Sequence, residues 1–195
     1  MIMCTFKWIA VTNRKLCSSS LAEQISYLAE SEDKPDLVIL REKDLKEREY
    51  KELAEQIKEI CEKAGIGFVA HNFYQVAREL ECRNLHLPLG VLEKMVRENG
   101  STREFSLVGT SIHSVEEAVR AYELGASYVT AGHIFDTDCK KGLPGRGLEF
   151  LQQVCEAVPI PVYAIGGIRK EQQEILKQAG ARGACRMSDY MRREP

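Results

Sequence analysis

The chain has 195 residues, a formal net charge of −2, 44% hydrophobic residues and 29% charged residues. That length suits one sizeable core, so residues 1–195 are read as a single domain. The near-neutral charge speaks against a nucleic-acid or anionic-membrane partner, and no apolar run nears the roughly 18–20 residues that span a bilayer.

In chain order, short apolar runs alternate with longer amphipathic stretches. Met1 to Ala10 holds an apolar patch broken by Lys7 and followed by Arg14 and Lys15. That layout is not a signal peptide, and a cytoplasmic protein is expected. Within the patch, Phe6 to Val11 reads as the first strand. Ser18 to Ser20 can cap a helix bearing Leu21, Ile25 and Leu28 on one face. Asp36 to Leu40 is a short buried strand, followed by the charged run Arg41 to Asp44. Lys46 to Ala64 is the clearest helix, with Tyr50, Leu53, Ala54, Ile57, Ile60, Cys61 and Ala64 at helical spacing and Gly65 as its stop. Gly67 to Ala70 is a strand leading into His71 and Asn72, and Phe73 to Leu80 is a short helix.

Asn84 to Pro88 is a strand halted by proline, and Val91 to Arg97 a helix. Ser106 to Ser111 is the next strand. Ser114 to Glu117 reads as a capping box opening a helix that runs to Leu124. Tyr128 to Ala131 is a buried strand that passes into a long polar loop ending at Gly147. Gly147 to Val158 is its helix, Pro161 to Ile165 a strand, and Lys170 to Ala179 a helix. Gly183 to Met187 is a weaker last strand, and Ser188 to Pro195 leaves room for one helical turn. Eight strand–helix units of about 24 residues fit the short-connection priors of α/β folds. This is a small (β/α)8 TIM barrel with a shortened or missing final helix; a doubly wound open sheet is the alternative.

The seven cysteines are scattered and form no C-x-x-C pair, and the four histidines lack metal-ligand spacing. Buried reduced thiols, no structural metal and no cofactor are expected.

In a barrel, chemistry gathers where the strands end. After the second strand, Arg41 and Lys43 share a face if the strand continues, and both suit an anionic substrate; a surface ion pair with Glu42 or Asp44 is the competing reading. After the third, alternation admits only one of His71 and Asn72, and Asn72 is preferred. His86, within the fourth strand, reads as a satisfied core histidine. Ser111 and His113 follow the fifth, with His113 favoured as part of a helix cap. His133 follows Gly132 after the sixth strand, and a histidine there suits proton transfer. Lys140 and Lys141 lie further along that loop. Gly166 and Gly167 after the seventh strand, with Met187 and Ser188 after the eighth, offer backbone N–H groups to a phosphate; a tight turn before the next helix is the plain alternative for the glycines.

The run 132–147, with Leu40 to Lys43, Leu87-Pro88, 109–114, 161–167 and Met187-Ser188, resembles the TenI-type thiazole tautomerases of the thiamine-phosphate synthase superfamily. The resemblance covers nearly the whole chain and is densest from Leu107 to Ser188. It implies a (β/α)8 barrel, phosphate binding at the seventh and eighth loops, and His133 as the acid–base residue. The implied substrate is a thiazole carboxylate phosphate, and a homodimer is an assembly common in that superfamily. Synthases of the superfamily have proline at position 133, and aspartates after strands three and four that hold magnesium and pyrophosphate. This chain has His133, Phe73 and the run Pro88 to Gly90 instead. Arg186 also departs from the aliphatic residue usual in the last strand, and the family's longer C-terminal helix is missing. Three functions stay open: a metal-independent tautomerase, a synthase with altered metal ligands, and a phosphate-binding regulatory protein without turnover.

Overall fold

A computed structural model describes residues 5–137, 140 and 142–192. Cys4, Asp138, Cys139, Lys141 and Pro195, all part of the sequence reading, lie outside the described residues. Eight parallel strands close on themselves in sequence order, β1 through β8, with β8 returning to β1. They are β1 (Lys7–Val11), β2 (Leu37–Leu40), β3 (Gly67–His71), β4 (Asn84–Pro88), β5 (Leu107–Ile112), β6 (Tyr128–Gly132), β7 (Val162–Ile165) and β8 (Gly183–Arg186). The helices between them are α1 (Leu21–Glu30), α2 (Glu47–Ala64), α3 (Tyr74–Glu79), α4 (Leu89–Asn99), α5 (Val115–Glu123), α6 (Gly147–Ala157), α7 (Gln173–Gln178) and α8 (Ser188–Met191). The expected (β/α)8 barrel is therefore the fold, and α8 is a single turn. No helix among the described residues is long and apolar enough to cross a membrane.

Strand alternation divides the core in two. Ile9, Val11, Ile39, Val69 and Cys185 fill the barrel with Tyr163, Ile165 and Met187 packed against them. The other face of each strand, including Ala10, Val38, Leu40, Ala70 and Val129, meets the helices. Strands buried on both faces read as unbroken apolar runs, and so were legible from sequence.

Local signals set the helix ends. The Ser20 hydroxyl accepts from the Glu23 amide at 3.2 Å while the Glu23 carboxylate accepts from the Ser20 amide at 2.9 Å. Gly65 ends α2 in the left-handed conformation at φ 67°. At α5 the expected capping box is offset. Ser114 accepts from the Glu117 amide, but the Glu117 carboxylate reaches one residue further back, to the His113 amide. The segment expected as one helix from Lys170 opens as a 3-10 turn, Lys170–Gln172, and becomes α-helical only over α7. Among the described cysteines, Cys61, Cys82 and Cys185 are buried free thiols and Cys17 and Cys155 are half-buried free thiols.

Tyr50 of α2 fixes two strand ends. Its hydroxyl donates to the Leu40 carbonyl at 2.9 Å and accepts from the His71 amide at 2.7 Å. One buried phenol thus sets the points where the chain leaves β2 for Arg41 and β3 for Asn72.

Candidate active site

The charged run after β2 is built around Glu42. Its carboxylate is buried and accepts from the Thr12 hydroxyl at 2.7 Å, the Arg14 amide at 3.0 Å and the Arg14 guanidinium at 3.0 Å. Thr12 in turn accepts from the Arg41 amide at 2.8 Å, which pins the backbone that carries Arg41. Asp44 pairs with Arg14 at 2.7 Å and Lys15 at 2.8 Å, and the two cations hold its carboxyl well below the usual range. The acids expected as partners for Arg41 and Lys43 are therefore taken by residues after β1. That leaves Lys43 beside like charges, and its pKa is lowered first by Arg41, then by desolvation and by Lys140. A lysine held in a cluster of cations is poised to gain an anion.

The loop after β6 folds down on the loop after β7. The amides of Ile134 and Phe135 donate to the carbonyls of Ile165 and Gly166, at 2.9 and 3.0 Å. Asp136 accepts from the Gly145 amide at 2.8 Å, the Arg146 amide donates to the His133 carbonyl, and the Arg146 guanidinium lies over the Phe150 ring. Asp136 and Arg146 thus shape the loop.

His133 is half-buried at the barrel mouth. Its Nε2 lies 3.2 Å from the Leu143 carbonyl. A carbonyl only accepts, so Nε2 carries a proton and the neutral ring keeps its lone pair on Nδ1.

Gly166 and Gly167 have a structural duty that the phosphate reading did not include. A Cβ on Gly166 would fall 2.3 Å from the His133 Cβ, and one on Gly167 would fall 2.5 Å from the Asp136 carbonyl oxygen. Both have positive φ, 99° and 66°. The pair is glycine because the His133 loop lies on it. Gly166→Ala is expected to displace His133, with a stability loss clearly exceeding that of Gly100→Ala. Gly100 also has positive φ, 78°, but has open space around it, so that change costs only backbone strain of about 1–2 kcal/mol. Thermal unfolding of the two variants checks this, and equal losses would contradict it.

An open cavity of about 1210 Å³ lies over the ends of β7 and β8, lined among others by Asn13, Lys140, Gly167, Arg169, Ser188 and Arg192. Lys140, Gly167 and Ser188 of the expected set thus meet in one cavity. Leu143, the His133 partner, lines it too. Arg41 and Lys43 do not line that cavity, although Lys140, which does, is among the cations that lower the Lys43 pKa. Gly166 lies under His133, while Met187 packs on the barrel interior.

Alternation on β3 turns His71 to the barrel interior. His71 ends β3 in the inward series with Val69, is buried, and stacks on His86, its partner in register, at 5.9 Å between ring centroids. Asn72 comes after the strand in a left-handed conformation at φ 67°, where alternation no longer sets its direction. His113 is exposed, and its Nδ1 donates to the Gly132 carbonyl at 3.0 Å, so it supports the turn into His133.

A polar row inside the barrel was missed. His86 Nδ1 lies 2.9 Å from the Tyr128 hydroxyl and its Nε2 lies 2.9 Å from the Ser111 hydroxyl; Thr130 donates to Ser111 at 3.1 Å. Gly109 makes this row feasible, because a Cβ there would fall 1.9 Å from the Tyr128 ring. The signal available in the sequence was alternation: Gly109 and Ser111, and Tyr128 and Thr130, are pairs two apart on neighbouring strands.

Burial pushes the His86 pKa down to about 3, with Arg41 adding to the effect. The unfolded chain titrates near 6.5, so below that pH it takes up a proton that folded His86 refuses, and stability is lost as pH falls from 6.5 toward 3. His71 is lowered for the same reasons, burial first. The urea midpoint is expected to fall between about pH 6.5 and 5.5, where carboxylates stay ionised. A flat midpoint across that window would contradict the buried neutral pair.

No group of three His, Cys, Asp or Glu side chains suited to a metal occurs among the described residues. The donor set at the strand ends does not fit a magnesium–diphosphate complex. Phe73 follows Asn72 and packs on Tyr50 at 4.8 Å, and β4 ends in exposed Pro88. Neither position offers a carboxylate.

Residues 8–189 match the protein family described as thiamine monophosphate synthase. A putative thiamine-phosphate synthase 2 of Aquifex aeolicus is 31% identical over 182 residues, covering 93% of this chain and 96% of that protein. A thiamine-phosphate synthase of Clostridium tetani is 31% identical over 163 residues, 81% of this chain and 75% of that one. The structure of a thiamine phosphate pyrophosphorylase from Pyrococcus furiosus superposes with a TM-score of 0.82 at 27% identity, covering 97% of this chain and 89% of that one. The barrel, the cavity over β7 and β8 and the match over 8–189 agree: the chain belongs to the thiamine monophosphate synthase family.

Proposed function

We propose that this protein is a thiazole tautomerase of thiamine biosynthesis, an isomerase that needs no metal. The observation that carries the reading is His133. It stands where the resemblance puts the acid–base residue, with Nε2 turned to the Leu143 carbonyl and Nδ1 without a protein partner among the described residues. The reaction moves one proton off the ring carbon bearing the carboxylate and delivers another to the exocyclic carbon, so the atoms balance within one isomerisation. It calls for one acid–base group and two anion anchors. Arg41 and Lys43, with Lys140 nearby, suit the carboxylate. The Gly166-Gly167 and Met187-Ser188 segments, beside the cavity, suit the phosphate. Asn72 and Ser111 at the ends of β3 and β5 are further substrate contacts in this reading.

A second reading is thiamine-phosphate synthase, favoured by the names of the relatives. One pair of assays separates the two. Conversion of the unstable thiazole tautomer, followed by the ultraviolet absorbance of the aromatic product, is expected to exceed the spontaneous rate. Magnesium-dependent coupling of thiazole phosphate to pyrimidine pyrophosphate, with no tautomer conversion, would overturn the proposal.

A further inference from the structure

We infer that Tyr128 locks His86 as the Nε2–H tautomer, and that this makes the Ser111 hydroxyl an obligate hydrogen-bond donor toward the barrel mouth. The argument is a placement of protons. Tyr128 is fully buried, and among the described residues its hydroxyl has one hydrogen-bond partner, His86 Nδ1 at 2.9 Å. A buried phenol must place its proton on an acceptor, so Nδ1 carries none. The proton of neutral His86 is then on Nε2, which donates to the Ser111 oxygen at 2.9 Å. Thr130 is also buried, and among the described residues Ser111 is the only partner of its hydroxyl, at 3.1 Å, so its proton goes to Ser111 too. Two donors fill both lone pairs of the Ser111 oxygen. Its own proton then has no acceptor inside the barrel.

Ser111 is half-buried near the end of β5, paired in register with Pro88 and Thr130, so it stands at the boundary between core and mouth. His71 does not interrupt the row: its contact with His86 is a ring stack. Tyr128 and His86 are therefore positioning residues, acting through Ser111 on an acceptor group of the ligand such as a carboxylate or phosphate oxygen. If Nδ1 carried the proton instead, Ser111 would donate inward to Nε2 and present only lone pairs to an anion. The Ser111 contact rests on the proposed tautomerase reaction; the tautomer of His86 does not.

The test begins with ligand-free, 15N-histidine-labelled protein at neutral pH, with the His86 signals identified by their loss in His86→Gln. Long-range proton–nitrogen correlation is expected to give the Nε2–H pattern in the wild type, and Tyr128→Phe, with no phenol to donate, is expected to lose it. An Nδ1–H pattern in the wild type overturns the proposal, and so does an unchanged Nε2–H pattern in Tyr128→Phe. The wild-type measurement does not depend on any variant folding. With the thiazole tautomer as substrate, Tyr128→Phe is expected to raise KM about tenfold, the scale of one lost hydrogen bond, and to change kcat far less. A changed tautomer with unchanged KM overturns the link to Ser111. Absence of turnover in the wild type, with the Nε2–H pattern present, counts against the tautomerase reading alone.

Discussion

His133→Gln is expected to lower kcat for thiazole tautomerisation by about 10²–10⁴-fold, the usual contribution of a positioned acid–base group. Glutamine is the informative replacement. Its side-chain amide nitrogen reaches the position of Nε2 and can still donate to the Leu143 carbonyl, which His133 Nε2 meets at 3.2 Å, so the loop keeps its anchor. What disappears is the second nitrogen, the only part of the ring that can take and return a proton. Binding of the aromatic product and the unfolding temperature are expected to stay near wild type, because the proposed carboxylate and phosphate anchors are elsewhere. Turnover within a few-fold of wild type would remove His133 from the chemistry. Equal losses of binding and turnover would mark it as a purely structural loop residue.

The second large effect concerns stability. Arg186→Ala is expected to destabilise the fold by about 3–5 kcal/mol, the range for breaking a buried ion pair by removing one partner. The Arg186 guanidinium is fully buried between the rings of Trp8, at 4.4 Å, and Tyr190, at 3.9 Å. Nη1 pairs with Asp33 and Asp189, both at 2.8 Å, and Nη2 donates to the Tyr190 hydroxyl. One side chain thereby ties β8 to β1, to the segment after α1 and to the single turn of α8. Removal leaves a cavity and two carboxylates short of a partner, though Asp33 keeps Lys170 at 3.1 Å. For a chain of this size the unfolding temperature should drop by roughly 10 °C. Arg186→Lys should recover less than half of that, since an ammonium cannot reproduce a planar stack with two forked contacts. A drop under about 2 °C for the alanine variant would show that the neighbouring helices suffice without it.

Arg186 also shows where sequence reading reached its limit. An arginine in the last apolar run made that strand look weak, yet every residue of β8 is buried. The charge is matched by Asp33, far away in sequence, and no local pattern reveals such a partner. Glu42 is the same case: read as a surface partner for Arg41 or Lys43, it is buried under Thr12 and Arg14 from the segment after β1. The eight strands, by contrast, were legible because each is a short apolar run bounded by glycine or charge, and α1 and α2 because their buried residues recur at helical spacing. At the site, Gly167 and Ser188 follow β7 and β8, Lys140 lies on the loop after β6, and the three share one cavity. Alternation does not decide between His71 and Asn72, because Asn72 lies just beyond the regular strand. The polar row of His86, Tyr128, Ser111 and Thr130 depends on register across β4, β5 and β6, which only the closed barrel fixes.

The aromatic layer of the barrel has a kinetic consequence. Tyr128 lies across Gly109 with Tyr163 edge-on at 5.3 Å, and Ile9, Ile39, Val69 and Cys185 are almost wholly buried around them. The tube is blind at that depth, so a molecule entering at the strand ends must leave by the same opening. Arrival of a new substrate and departure of the finished product are then mutually exclusive events at a single doorway. In the proposed reaction, whatever holds the aromatic phosphate there sets the pace at which the next turnover can begin.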